Sequence, residues 1–194
     1  MKDNKLIEAN HQGGLSNRSS TTTVLEIFNK LAKAKMKKKH SAVISTDQSG
    51  AFDVIFHPLL LSKLEHIGFS NEATSTIKSF LSDRKQFVQI NTQNSDILLT
   101  GPVSTVQGSV MSGILYCIFI HDMSSVGHNK SHINNSSYNN CKRANINTFV
   151  DDCYSTIMTD NKDEIWNLIT EYVKRMNRYY TNNCLKNNIK KPRY

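Results

Sequence analysis

A chain of 194 residues with 38% hydrophobic content can build one ordinary core, and its longest apolar stretch, Ile114 to Ile120, is too short to span a membrane. The 24 Lys and Arg against 16 Asp and Glu leave a net charge of +8, which suits a phosphate-rich partner, although a lysine-biased soluble surface accounts for it nearly as well. The four cysteines, Cys117, Cys141, Cys153 and Cys184, form no C-x-x-C pair, so neither a zinc ribbon nor a disulfide framework is indicated and a reducing, intracellular setting is the default.

In chain order, residues 1–23 are polar and aperiodic, and Met1-Lys2-Asp3-Asn4-Lys5 leads into no apolar signal region. Val24, Leu25, Ile27, Phe28, Leu31 and Ala32 then recur at helical spacing as far as Met36, and Lys35, Lys37, Lys38 and Lys39 follow where cations oppose the helix dipole. Ala42 to Asp47 reads as a strand, and Gly50-Ala51-Phe52-Asp53 turns the chain. His57-Pro58 opens a helix that Gly68 ends, and Ser70 or Asn71 caps a second helix with Ile77, Phe80 and Leu81 inward. Arg84 to Asn91 alternates polar and apolar side chains, which predicts a half-buried strand paired with Ile97 to Thr100 across a turn at Thr92 to Asp96. Gln107-Gly108-Ser109 precedes a buried helix from Val110 to Ile120. Residues 124–147 have little to bury and predict a long mobile loop, in which His128, His132 and Cys141 fit no zinc-finger spacing. A strand to Val150, a hairpin, an amphipathic helix from Asp163 to Tyr179 that includes Trp166, and a basic tail complete the chain. This order predicts an α+β domain, an antiparallel sheet with helices packed on one face.

The chemistry concentrates in Thr148 to Met158, where Asp151 and Asp152 interrupt an apolar, β-branched run at the tip of the predicted hairpin. Two aspartates in a turn are ordinary turn chemistry by themselves. Asp47, however, ends another short strand far upstream. Three acids brought together repel unless cations sit among them, and oxygen donors of this charge suit Mg²⁺ shared with substrate phosphates. The reaction implied is phosphoryl transfer on two metals.

With these segments in order, the chain resembles the reverse transcriptase domain of non-LTR retrotransposons, the long interspersed element kind, nearly end to end. Thr46-Asp47-Gln48-Ser49-Gly50-Ala51-Phe52-Asp53 resembles the motif L-D-L-S-K-A-F-D, and Leu59 to Gly68 resembles L-L-x-K-L-x-x-x-G. Phe80 to Val88 resembles Y-L-S-N-R-K-Q-Y-V, Val106 to Val110 matches P-Q-G-S-V, and Phe149 to Asp152 matches F-A-D-D. Asn183, Leu185, Asn188 and Lys191 fall on N-x-L-x-L-N-x-x-K-T. The resemblance implies a reverse-transcriptase palm with partial fingers and no thumb: residues 1–41 and 69–100 on the fingers side, 42–68 and 101–194 in the palm, and 124–147 a flexible loop. It implies an RNA-directed DNA polymerase that joins deoxynucleoside triphosphates to a DNA primer on an RNA template, within the cell, the nucleus included.

Asp47, Asp151 and Asp152 are then the catalytic carboxylates, holding two Mg²⁺ ions or, alternatively, Mn²⁺. Phe52 matches the aromatic that excludes a 2′-hydroxyl, and Gln107 and Gly108 match the turn facing nucleotide and template. Lys191 matches a lysine near the pyrophosphate, and Arg18 the second arginine of G-F-R-x-x-R-S-T. Each of these five has a plain alternative: a core phenylalanine, a helix-start turn, a solvated lysine, a surface arginine. The sequence also departs from the pattern. Leu15 and Gly14 stand for the first arginine and its phenylalanine, Gly50 for the motif lysine, Ser112-Gly113 for Gly-Pro, and Pro192 for the final threonine. With a start after the family's first fingers strands and a stop before its thumb, these departures point to a truncated, decaying copy, so a catalytically dead nucleic-acid-binding remnant and a small interaction module without activity are the competing readings.

Overall fold

Strands β1 (His40–Asp47), β6 (Asn145–Phe149) and β7 (Asp152–Thr159) form one antiparallel sheet in the order β1-β7-β6. The structure is a computed structural model and describes residues 18–48, 50–106, 108–127, 144–149 and 151–185. Gln107, Val150 and Lys191, the segments 1–17 and 128–143, and hence most of the expected loop with its two histidines and Cys141, lie outside the described residues.

Helix α1 (Ser20–Met36) starts four residues before its apolar periodicity because Ser19 caps it. The Ser19 hydroxyl accepts from the Thr22 N–H and the Thr22 hydroxyl accepts from the Ser19 N–H, a reciprocal capping box. Helices α2 (His57–His66) and α3 (Asn71–Leu81) follow β1 as the punctuation predicts. Pro58 sits in the first turn of α2, Gly68 takes φ +93 just past its end, and the Ser70 hydroxyl accepts from the Ala73 N–H to start α3. Helix α4 (Val110–Phe119) continues into a 3₁₀ helix, His121–Gly127, and α5 (Ile165–Asn182) closes the chain's described part.

Every residue from Leu115 to Ile120 is buried, and with Leu60, Leu64, Ile157, Tyr172 and Met176 they make the core between the helices and one face of the sheet. Together α4 and the 3₁₀ helix give one window, Val110–Gly127, long and apolar enough to cross a membrane by length and composition. It is longer than the apolar run that the sequence shows, and 56% of it is buried inside the protein, as a core helix is.

Three expectations are corrected. The ends of the segment expected to be a flexible loop are ordered elements, because residues 124–127 belong to the 3₁₀ helix and Asn145 to Asn147 belong to β6. Trp166 is 73% exposed and not on the packed side of α5. The alternating segment from Arg84 is not one half-buried strand: β2 (Lys85–Gln86) pairs with β5 (Leu98–Leu99), β3 (Gln89–Ile90) pairs with β4 (Gln93–Asn94), and all four strands are exposed. Alternation predicts which side chains share a face, but none of the described residues buries that face.

One partly buried cluster ties α2, the 3₁₀ helix and α5 together. The Lys63 ammonium donates to Asp122 Oδ1 (2.9 Å) and Phe119 O (2.7 Å), lies 4.9 Å from the Phe119 ring centre, and the Tyr179 hydroxyl donates to the same Asp122 oxygen (2.8 Å). Burial raises the Asp122 carboxyl, but Lys63 and Tyr179 outweigh it and hold the group below the ordinary carboxylate range. Burial lowers the Lys63 ammonium against the pull of Asp122. A carboxyl held low contributes stability that is present above its unfolded pKa, about 4, and is lost as pH falls through the folded value. Asp122→Ala strands the Lys63 side chain, which is only 11% exposed, and is expected to destabilise by about 3 kcal/mol, lowering Tm by about 6–12 °C. Lys63→Met, which keeps the packing stem and leaves Asp122 partly solvated, should cost less. Thermal melts between acidic and neutral pH check both, with the Asp122→Ala deficit shrinking toward the acid end.

Candidate active site

The turn between β6 and β7 is short because Phe149 and Asp152 are already paired across it, which leaves Asp151 at the tip. On its other edge β7 pairs with β1 from His40↔Thr159 to Asp47↔Asp152, so the last pair of the ladder is two aspartates. Side chains on directly opposed residues share a face with Cβ atoms about 4.5–5.5 Å apart. Asp47, Asp152, Ser45 and Tyr154 therefore occupy one face. The alternate residues, Thr46, Cys153, Ile44 and Ser155, face α5. There the Tyr180 hydroxyl hydrogen-bonds Thr46 Oγ1 (3.1 Å), and the Tyr172 hydroxyl hydrogen-bonds Ser155 Oγ.

The electrostatics record the convergence. Burial raises the Asp152 carboxyl above its ordinary range, and the charges of Asp151 and Asp47 raise it further. Burial, then Asp152 and Asp47, raise the Tyr154 phenol, and burial followed by Asp151 raises that of Tyr116. Tyr180 is pushed up to about 12 by burial, against the hydrogen bond from Thr46, with Asp47 a smaller contributor. Asp152 thus senses both other acids, while the tyrosines behind and beside it stay neutral. Among the described residues, no three His, Cys, Asp or Glu side chains stand close enough together to hold one metal ion.

Past Asp47 the chain turns under the site. Gly50 takes φ +63, where a residue with a Cβ is strained, and Asp53 N–H closes the turn on Gly50 O (2.8 Å). This brings the half-buried Phe52 ring to 5.5 Å from the Tyr116 ring, tilted by 48°. The Tyr116 hydroxyl donates to Gln48 Oε1 (2.6 Å), and the Gln48 side chain is buried with its Nε2 lacking a hydrogen-bond partner. Thr105 N–H donates to Phe52 O (2.7 Å), and the Ser112 hydroxyl donates to Val106 O (2.6 Å). These bonds pin the turn that holds Gly108 (φ +83), whose missing Cβ would meet open space.

On the carboxylate face, α1 closes the β6 side. Buried Asn147, the register partner of Tyr154, donates to Glu26 Oε2 (2.5 Å) and accepts from the Lys30 ammonium (2.6 Å). Arg18 stands half-buried just before the Ser19 cap, at the start of α1 and not on the aspartate strand ends.

The structure therefore sets Asp47 opposite Asp152 with Asp151 at the adjoining tip, and joins the loop of Phe52 to the segment before Gly108 through the Thr105–Phe52 hydrogen bond; Gln107 and Lys191 lie outside the described residues. Sequence reasoning missed Tyr116 and Gln48. Tyr116 is hidden in an apolar helix, but Gln48 carried a signal, because it is polar where the L-D-L-S-K motif has its second leucine.

Comparison with known proteins accords with this geometry. The family profile for reverse transcriptase (RNA-dependent DNA polymerase) matches residues 3–192. A Drosophila melanogaster protein described as a probable RNA-directed DNA polymerase from transposon BS is 29% identical over 114 residues, 58% of this chain and 12% of its own length. Apo telomerase from Candida tropicalis, truncated from its C-terminal domain, shares the fold with a TM-score of 0.61 at 16% identity, over 89% of this chain and 34% of its own. The chain thus spans a small part of the transposon protein and about a third of the telomerase chain. By the match along nearly its whole length, the chain belongs to the reverse transcriptase (RNA-dependent DNA polymerase) family.

Proposed function

We propose that this chain is an RNA-directed DNA polymerase region of a non-LTR retrotransposon protein, which adds deoxynucleotides to a primer 3′-hydroxyl on an RNA template. The observation that carries the reading is the β1–β7 register, with Asp47 opposite Asp152 and Asp151 at the adjoining tip. The donors are carboxylate oxygens, and the Asp152 carboxyl is raised by burial first and then by the charges of Asp151 and Asp47, a repulsion that a cation would relieve, so Mg²⁺ or Mn²⁺ fits the site on charge and donor chemistry. Asp47, Asp151 and Asp152 would hold two such ions, which when bound make the primer hydroxyl a better nucleophile and neutralise the leaving pyrophosphate.

The chain's own contribution is position and shape. Two hydrogen-bonded strands hold the acids against their mutual repulsion, and Phe52, braced by Tyr116, presents a ring beside the site that would exclude a 2′-hydroxyl by bulk. Gly108 leaves room for close approach of a nucleotide or template to the backbone. In this reading β1, α2, α4, β6, β7 and α5 form the palm, and α1 with the 85–99 hairpin lies on the fingers side. A second reading, nucleic-acid binding without catalysis, is favoured by Gly50 in place of the motif lysine and by the lack of a tight three-ligand cluster among the described residues.

Primer extension on an RNA template with Mg²⁺ separates the two. Extension that Asp151→Asn reduces to background is expected, and a folded wild-type protein that binds template yet never extends would leave the second reading. Phe52→Ala should lower the preference for deoxynucleotides over ribonucleotides by about tenfold or more, read as the ratio of incorporation rates.

Because the folded Asp152 carboxyl is raised, its ionisation destabilises the fold as pH climbs through the interval above the unfolded value of about 4. Asp152→Asn without metal should therefore melt about 1–3 °C above wild type at pH 7. The gap should close in acid, and added Mg²⁺ should raise the wild-type Tm more than the variant's.

A further inference from the structure

On the loop that follows Asp47, and outside the carboxylate set, the fold builds a second polar site. A cavity of about 400 Å³ opens at the foot of the 85–99 hairpin, lined by Asp53, Arg84, Lys85, Thr100, Ser104 and Thr105. Its walls are fixed by the backbone. Thr100 donates through both N–H (2.9 Å) and hydroxyl (3.1 Å) to Arg84 O, Thr105 N–H donates to Phe52 O, and Ser104 N–H donates to Ile55 O (3.0 Å). Buried His57 donates from Nε2 to Ser104 O (2.6 Å), and Ser104 is held at φ +84, a conformation that a residue with a Cβ keeps only where its surroundings impose it. Arg84 is aimed as well: its Nη1 donates to Phe80 O (3.0 Å) and its guanidinium lies 5.1 Å from the Phe80 ring centre.

Two cations and the Ser104 hydroxyl around a fixed hollow, with the Thr100 and Thr105 hydroxyls turned back to Arg84 O and Phe52 O, suit an anion rich in acceptor oxygens, that is, a phosphate. What lies next to the cavity narrows the source. Phe87, Val88, Ile90, Ile97, Leu98 and Leu99, all on the same hairpin, are each more than half exposed. A bare two-stranded ribbon is marginal in water, and exposed apolar surface of this kind marks a surface that something covers. A single nucleotide would fill the cavity and leave the ribbon bare. A strand anchored by one phosphate between Arg84 and Lys85 would carry successive bases along the ribbon, where stacking on an aromatic is tolerant of sequence.

We propose that the cavity at the foot of the 85–99 hairpin holds a backbone phosphate of single-stranded nucleic acid, with Phe87 and its apolar neighbours receiving the bases. The Thr105–Phe52 hydrogen bond couples this anchor to the loop that follows Asp47, so a bound strand is held beside the carboxylates. Naming that strand the template rests on the polymerase reading; the binding itself does not.

The test is fluorescence anisotropy of the full chain with a short labelled single-stranded RNA, without divalent ions or nucleotide. Arg84→Ala with Lys85→Ala should weaken binding by about tenfold or more and lower the slope of log affinity against log salt by about 0.7 in total, the value for the one phosphate released. Phe87→Ala should weaken binding about tenfold with the salt slope unchanged. Asp53→Asn, which removes the one negative charge lining the cavity, should tighten binding severalfold, a gain that misfolding cannot produce.

Wild-type affinity in the Arg84/Lys85 and Phe87 variants overturns the proposal, as does weaker binding by Asp53→Asn. So does a change of oligomeric state in Phe87→Ala with RNA affinity intact, which would give the ribbon to a second copy. Intact RNA affinity with a raised KM for deoxynucleotides in Arg84→Ala would give the cavity to the triphosphate and overturns it too. Hairpin-dependent RNA binding in a protein that never extends a primer would sink the polymerase reading and leave this one standing.

Discussion

The structure depends on a sheet that holds like charges face to face. β1 and β7 pair along their whole lengths and finish on Asp47 and Asp152, with Asp151 one residue further at the turn. Directly opposed carboxylates disfavour that pairing. What outweighs them is on the other face of the same two strands, where Thr46, Cys153, Ser155 and Ile157 pack toward α5 and the hydroxyls of Tyr180 and Tyr172 hydrogen-bond Thr46 and Ser155. A slip of one residue would turn both the acids and the packed residues to the wrong faces, so burial on one side dictates the electrostatics of the other.

The residues around the acids are chosen for neutrality as much as for shape. Tyr116, Tyr154, Tyr172 and Tyr180 all have phenols raised by burial, so none adds charge to a region that already carries three carboxylates. They supply hydroxyl donors and stiff rings. Tyr116 does both at once, bracing Phe52 with its ring and Gln48 with its hydroxyl. The same logic appears in the Lys63–Asp122–Tyr179 cluster, which sits away from the acids and joins three helices through one carboxylate oxygen. Such a partly buried pair adds little net stability while intact, and its loss is expensive because the remaining charge stays desolvated.

Around this centre the 85–99 hairpin has apolar side chains, basic residues at its base and, among the described residues, no second layer, whereas the sheet that carries the acids is packed by α5 on one face and crossed by α1 on the other. The two ribbons thus stand in different surroundings. The buried one fixes carboxylates, and the bare one has apolar surface to spend on a partner.

Much of this was legible in the residues. Capping chemistry at Ser19 and Ser70, Pro58 at a helix start, Gly68 at a helix end and the apolar period of α5 are local signals, and each places its element because hydrogen-bond satisfaction at a helix end involves only neighbouring residues. The succession of short motifs identified the family, and the Asp151–Asp152 pair marked a hairpin tip. The tertiary structure alone decided which strand edges meet, since antiparallel register is set by packing between segments far apart in the chain. It alone put Gln48 under Tyr116, bared the 85–99 hairpin and turned Trp166 outward. In each case the deciding fact is what stands opposite a side chain in space, and a linear pattern of polar and apolar residues carries no record of that.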